Sequence, residues 1–324
     1  MRISLPTIEA GKMAKIESIV NTFVSMMENL ANLIVPLIPG QKRMLLLANK
    51  SGVAFYFVVS VIVFYVSTFV IFPFNHRIEM NDPTIDSNAS TPISTWILSF
   101  CMGNMMLNYL RAIFNPPFYD AGQLKVPTAE GGKNWGYCVP CQQYVPPRAH
   151  HCSVCNQCVL KRESHCFFLG NCVGHINQGF FVVFLFYTAL SSLFALLHLG
   201  MYFHHVIGPI VSLRMHHYLV PVATYQCFMG YFTVTDYLML LLFYNMLMIG
   251  LGCSVLFFKQ ISLILQGQTS YEAAKKVNLY DSGAHLNLQD VFGRYWWVRF
   301  IIPIKFSQPV DGIKWSRVKD IKRY

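Results

Sequence analysis

Charge is what this sequence has least of. Only 12% of its 324 residues are Asp, Glu, Lys or Arg, whereas 54% belong to the apolar set and 15% are aromatic. Soluble domains carry about 25% charged residues, so this composition excludes an ordinary water-soluble fold and implies a membrane protein. Acidic residues are the scarcer sign, 15 against 25 Lys and Arg, for a formal net charge of +10. Residues 1–18 carry Arg2, Lys12 and Lys15 but no continuous apolar core. A cleavable signal requires such a core, so the first true span is expected to do the targeting. No internal repeat is present beyond the spacing of a Cys/His cluster, which argues against a solenoid or array.

Cysteine is concentrated in one place. Seven of the ten lie between Cys138 and Cys172, interleaved with histidines. That pattern indicates metal binding in a reducing compartment rather than a secreted disulfide framework. Cys101, Cys227 and Cys253 sit in or near apolar stretches and read as small hydrophobes of a helix bundle.

Four stretches are long enough to cross a hydrocarbon core, which takes about 20 apolar residues. They are residues 53–74, 93–114, 179–203 and 235–258. The second is interrupted by Asn104, Asn108 and Arg111, so it is expected to pack inside the bundle with Arg111 near an interface. Six Lys and Arg precede the first span, five fall in 115–178 and eleven follow residue 258, whereas the loops 75–92 and 204–234 hold one each, Arg77 and Arg214. The positive-inside rule therefore predicts cytosolic termini and a cytosolic 115–178 loop. The Asn88-Ala89-Ser90 sequon falls on the predicted lumenal side. This asymmetry accounts for the net charge, and no nucleic-acid partner is expected. Apolar residues recur at helical spacing over 16–37, which predicts an amphipathic helix on the membrane surface or on the cytosolic domain.

The expected fold class is an all-α integral membrane protein, with four transmembrane helices and a cytosolic two-zinc cysteine-rich domain between the second and third. Its divisions are 1–52 (cytosolic segment), 53–114 (spans one and two), 115–178 (zinc domain), 179–258 (spans three and four) and 259–324 (cytosolic tail).

The cluster reads Cys138-x2-Cys141-x9-His151-Cys152-x2-Cys155-x2-Cys158-x6-His165-Cys166-x5-Cys172. Structural zinc takes four thiolate or imidazole ligands, often as close pairs on tight turns. Seven cysteines with His151 and His165 make nine donors, and two closed sites use eight, so one donor is left over. Adjacent residues such as His151 and Cys152 point in different directions, so the two sites should interleave. Zinc would supply folding energy to a segment with little apolar core of its own.

Residues 138–180 resemble the DHHC cysteine-rich domain of the membrane-bound protein S-acyltransferases, or palmitoyltransferases, which also place it between the second and third of four spans. Asp120-Ala121-Gly122 sits where that family has a DPG motif, Thr269-Ser270-Tyr271-Glu272 resembles its TTxE motif, and residues 287–293 (NLQDVFG) resemble its carboxyl-terminal motif. The resemblance implies one zinc on Cys138, Cys141, His151 and Cys158 and another on Cys152, Cys155, His165 and Cys172. It makes Cys166 the nucleophile, which accepts an acyl chain from palmitoyl-CoA or another long-chain acyl-CoA as a thioester and passes it to a substrate cysteine. Membrane lipid and cytosolic or membrane substrate proteins with juxtamembrane cysteines are the implied partners, and endoplasmic reticulum or Golgi the implied compartment. Arg148, Lys161 and Arg162 are candidates to attract the CoA phosphates, or alternatively a cytosolic surface facing anionic lipid.

The signature departs from the family at one chemical position. Asp-His-His-Cys is replaced by Glu163-Ser164-His165-Cys166. The family's first histidine is taken as the base that activates the cysteine, and a serine has no suitable pKa for that. Glu163 is the expected acceptor for the free nitrogen of His165, and His150 and His175 are the spare imidazoles nearby. Phe167-Phe168 stands where the family commonly has Pro-Trp. Two functions follow: an S-acyltransferase with an altered site, or a zinc-stabilised membrane scaffold without turnover. Retention of Cys166 favours the first and Ser164 the second. A ubiquitin-ligase-like zinc module fits neither the ligand order nor the spare cysteine.

Overall fold

Long uninterrupted apolar runs can satisfy their backbone groups in lipid only as helices, and the computed structural model has four of them among its described residues. It describes residues 41–80, 92–120, 135–209 and 215–315. The expected helix at 16–37 and the sequon at 88–90 lie outside the described residues. The chain divides into two units, Met1–Ala48 and Asn49–Tyr324. Helix α1 (Gln41–Val66) begins in the first unit, and the other described elements belong to the second.

Helix α1 continues through a π-helical turn, Ser67–Ile71, into α2 (Phe72–Met80). Then come α3 (Pro92–Phe114), α4 (Gln178–Val206), the short α5 (Val220–Phe228) and α6 (Val234–Leu265). The helices fit to cross a membrane are Leu47–Ile78, Ile93–Phe114, Gln178–Val206 and Val234–Leu265, of 32, 22, 29 and 32 residues. Each contains or matches one predicted span. Three are longer than predicted because the helix continues into polar residues that a hydropathy window discards. At 1.5 Å per residue, α4 and α6 measure about 43 and 48 Å, against a hydrocarbon core of about 30 Å. Their ends therefore project beyond it.

Helix α4 is the centre of the bundle, with Phe180, Val182, Val183, Leu185, Leu199 and Phe203 almost fully buried. Tyr56 and Tyr109 pack their rings 5.2 Å from Phe184 and 4.8 Å from each other, which ties α1 and α3 to it. Asn104 and Asn108 are buried, as the sequence predicted, and donate to Phe100 O and Asn104 O one turn back. Arg111, in the last turn of α3, is exposed.

Between α3 and α4 the described residues form seven strands of two or three residues. They are β1 (Phe118–Tyr119), β2 (Gly136–Cys138), β3 (Gln143–Val145), β4 (His150–Cys152), β5 (Gln157–Val159), β6 (Ser164–Cys166) and β7 (Asn171–Val173). They pair antiparallel as β1-β5-β4, β2-β3 and β6-β7. Strands this short cannot stand alone in water. The cysteine-bearing turns that join them are what the donor sites must hold.

After α6, Thr269 caps helix α7 (Ser270–Ala274) in a reciprocal capping box: the Glu272 amide donates to Thr269 Oγ1 and the Thr269 amide to Glu272 Oε2. The same Glu272 carboxylate receives Arg148 Nε and Nη2, both at 2.7 Å, and Nη2 also donates to Gly267 O at 2.9 Å. The guanidinium lies 4.3 Å from the Tyr280 ring centroid and 4.4 Å from that of Trp315. In helix α8 (Ala284–Phe292), Asn287 donates to Leu265 O and Asp281 Oδ1, fixing the tail to the end of α6.

Both side chains of the Arg148–Glu272 pair are almost inaccessible, at 2% and 6% exposure. Removing one partner of such a pair strands a buried charge, at about 3–5 kcal/mol. Glu272→Ala is expected to lower the thermal midpoint of the detergent-solubilised protein by several degrees, and Arg148→Met/Glu272→Ala to lose less than the two single variants summed. Additive losses in a thermal melt would contradict the pairing.

Candidate functional site

Strand β4 places His151 and Cys152 on opposite faces, because side chains alternate along a strand. His151 joins Cys138, Cys141 and Cys158, while Cys152 joins Cys155, His165 and Cys172; within each set all donor atoms lie within 4.8 Å of one another. Zn–S bonds of about 2.3 Å require tetrahedron edges of about 3.8 Å. The measured edges include Cys141 Sγ to His151 Nδ1 at 3.2 Å, Cys155 Sγ to Cys172 Sγ at 3.5 Å, and His165 Nδ1 to Cys155, Cys172 and Cys152 Sγ at 3.3, 3.6 and 3.8 Å. Three thiols and one imidazole per set suit zinc. All eight predicted ligands are thus gathered, interleaved as expected, and the protein has two Cys3His zinc sites.

The alternation repeats on β6. His165 turns to its site, and the next residue, Cys166, packs against the cluster formed by the spans. Hairpin β6-β7 closes through residues 167–170, with the Leu169 amide donating to Cys166 O and the Gly170 amide to Phe167 O, both at 3.1 Å. Gly170 has φ +60°, a conformation glycine adopts without strain. Helix α1 lies directly against this turn. A Cβ on Gly52 would sit 2.7 Å from Phe167 O, so only a glycine permits the approach. On the other side Tyr109 Oη donates to Phe168 O at 2.7 Å. Phe167 and Phe168 remain 39% and 50% exposed, an apolar tip beside the first span. Burial pushes the Cys166 thiol up, and the backbone N–H groups of Leu169 and Phe168 pull it the other way.

Glu163 is not the acceptor for His165. Nε2 of His165 lies 2.9 Å from Asn49 Oδ1, on α1, so an amide from the first span orients this ligand. The Glu163 carboxylate instead receives Gln260 Nε2 at 2.8 Å, the Ser270 amide at 3.0 Å and the Ser270 hydroxyl. Gln260 Oε1 accepts in turn from Gln178 Nε2 at 3.2 Å. Glu163 thus pins hairpin β6-β7 to the projecting ends of α4 and α6. The signal for Asn49 was weak: a lone amide before a span has no motif around it.

Both spare imidazoles make contacts away from Cys166. His150 packs its ring at a tilt against Tyr271, 4.6 Å between centroids, and burial, with Arg162 nearby, pushes its pKa down. His175 places Nε2 3.1 Å from Val310 O, and burial holds it well down, at about 4. The basic trio also divides. Arg148 is committed to Glu272, and Lys161 is 5% exposed, with burial and Arg148 pulling its pKa down to about 7, so both side chains lie inside the fold. Arg162 is only half-buried, and its Nε has no partner among the described residues.

The arrangement defines a class of protein: a polytopic membrane protein whose double zinc module is held against its spans and carries one thiol outside the metal sites. Residues 132–277 match the DHHC palmitoyltransferase family. The chain is 30% identical over 264 residues to palmitoyltransferase ZDHHC22 of Mus musculus, covering 80% of this chain and 93% of that one. It is 28% identical over 265 residues to the Homo sapiens palmitoyltransferase ZDHHC22, with the same coverage, and 32% identical over 198 residues to the probable palmitoyltransferase ZDHHC24 of Mus musculus, covering 59% and 67%. The chain belongs to the DHHC palmitoyltransferase family and is a protein S-acyltransferase whose donor is an acyl-CoA.

Elemental analysis of the purified protein is expected to give two zinc ions per chain. Loss of an outer hydrogen-bond partner typically costs 10- to 100-fold in metal affinity. Asn49→Ala should therefore release one zinc of the two to a chelator about 10- to 100-fold more readily, and equal retention of both would contradict the assignment.

Proposed function

We propose that Cys166 is the acyl-carrying nucleophile. The observation that supports it most directly is its position: it is the one thiol of the module outside both tetrads, and it packs on the spans where a lipid chain would arrive. The Cys166 thiolate attacks the carbonyl of the acyl-CoA thioester, and the CoA thiolate leaves. A substrate thiolate then attacks the Cys166 thioester and releases it. The zinc ions supply folding energy and hold the hairpin that presents the thiol. The Leu169 and Phe168 amides favour the thiolate, Tyr109 and Gly52 hold the turn that aims them, and Glu163 positions β6 from the opposite side. Arg162 is the basic residue we assign to the CoA phosphates.

The module, both termini and the reaction lie on the cytosolic face by this reading, which rests on the distribution of Lys and Arg. Membrane lipid and substrate cysteines close to the membrane are the partners, in the endoplasmic reticulum or Golgi. The divisions at 52, 114, 178 and 258 follow from the same topology.

One feature favours the scaffold reading, the Ser164 hydroxyl where an imidazole base would stand. A positioned base contributes about 100- to 10,000-fold. The purified protein, incubated with a long-chain acyl-CoA analogue, is expected to take up a hydroxylamine-sensitive label slowly, Cys166→Ala none, and Ser164→His the label about 100-fold faster or more. No label on the parent with strong label on Ser164→His would leave a scaffold.

A further inference from the structure

The stretch between α8 and the tail has a surface that acyl transfer does not use. Tyr295, Trp297, Ile301, Ile302 and Ile304 are 46–57% exposed, a contiguous apolar patch in sequence. Patches of this kind mark interaction sites, and the depth of this one identifies what covers it.

Two rulers give that depth. The Phe300 ring lies 5.6 Å from that of Phe186, its carbonyl accepts from Tyr187 Oη, and Phe186 lies 5.5 Å from Phe257. Phe186 is eight residues from the start of α4 at Gln178 (186 − 178), and Phe257 eight from the end of α6 at Leu265 (265 − 257). Both are therefore about 12 Å inside their helix ends. A span needs about 20 residues, so the excess in helices of 29 and 32, shared between the two ends, leaves about 7–9 Å outside the hydrocarbon. Phe300 then lies roughly 3–5 Å below the hydrocarbon boundary, close to the range of about 5–10 Å to which interfacial elements bury their apolar faces.

The chemistry agrees with the depth. Tyr and Trp collect at bilayer interfaces, where an apolar ring with a polar edge is matched by its surroundings. Arg294 and Lys305 bracket the patch, and no acidic residue occurs between Asp290 and Asp311. The third cation, Arg299, is turned inward over Phe180 at 4.1 Å and donates to Val291 O, so it is not offered to the surface.

We propose that Tyr295–Ile304 is an interfacial membrane anchor, inserted into the leaflet on the zinc-module side beside α4 and α6, with Arg294 and Lys305 at anionic headgroups. It fixes the tail, and through α8 and Arg148 the zinc module, at a set height over the bilayer. The inference does not depend on the reactivity of Cys166.

The test uses the full chain in nanodiscs of phosphatidylcholine and phosphatidylserine, comparing the parent with Trp297→Phe, a conservative change at a 57% exposed site. The difference in emission isolates Trp297. In lipid brominated high on the acyl chain it is expected to fall about twofold or more, while aqueous iodide leaves it nearly unchanged. Quenching by iodide would place the ring in water and overturn the proposal. Quenching by neither would mean that protein, a second copy or a partner, covers the patch, and would overturn it equally.

Discussion

The strand period of two is the constraint on which this protein depends. Neighbouring side chains on a strand must face opposite ways. On β4 this sends His151 and Cys152 to different metal sites, which locks the two sites into one unit. On β6 it sends His165 to a site and Cys166 to the spans. A zinc tetrad is rigid because its ligands are fixed at bond distances, so a ligand next to a free thiol fixes the direction of that thiol as well. The metal need take no part in the chemistry to control where the thiol points.

That device needs support from the membrane helices, and the structure supplies it from three of them. Helix α1 offers Asn49 to His165 and a bare backbone at Gly52 to the Phe167 turn; α3 offers Tyr109; α6 offers Gln260 to Glu163. The contacts of α1 and α6 use helix ends in spans of 32 residues, longer than the hydrocarbon requires, where polar groups can be exchanged for water contacts without the penalty they would carry in lipid. The tail closes the far side. Arg148 and Glu272 satisfy each other, and the capping box uses the same carboxylate, so helix formation at α7 and docking of the module are one event.

The Glu163-Ser164-His165-Cys166 signature gains a physical meaning from this. The acid sits in a network that joins β6 to α4 and α6, and the second histidine in a zinc site. Ser164, at the substituted position, pairs in register with Val173 on the neighbouring strand.

Sequence alone determined the membrane spans, because length and apolarity are properties of a local window, and the pool of nine zinc donors, because donors at close spacing can be counted. The grouping of those ligands required the family resemblance, and the structure agrees with it. The partners of the ligands and of the charges were decided only by tertiary structure. Asn49 reaches His165 across 116 positions, Arg148 reaches Glu272 across 124, and Glu163 reaches Gln260 across 97. Periodicity and spacing carry no information over such separations. A basic residue in a loop therefore reads the same whether it will face a phosphate or a buried carboxylate, and only the path of the folded chain tells the two apart.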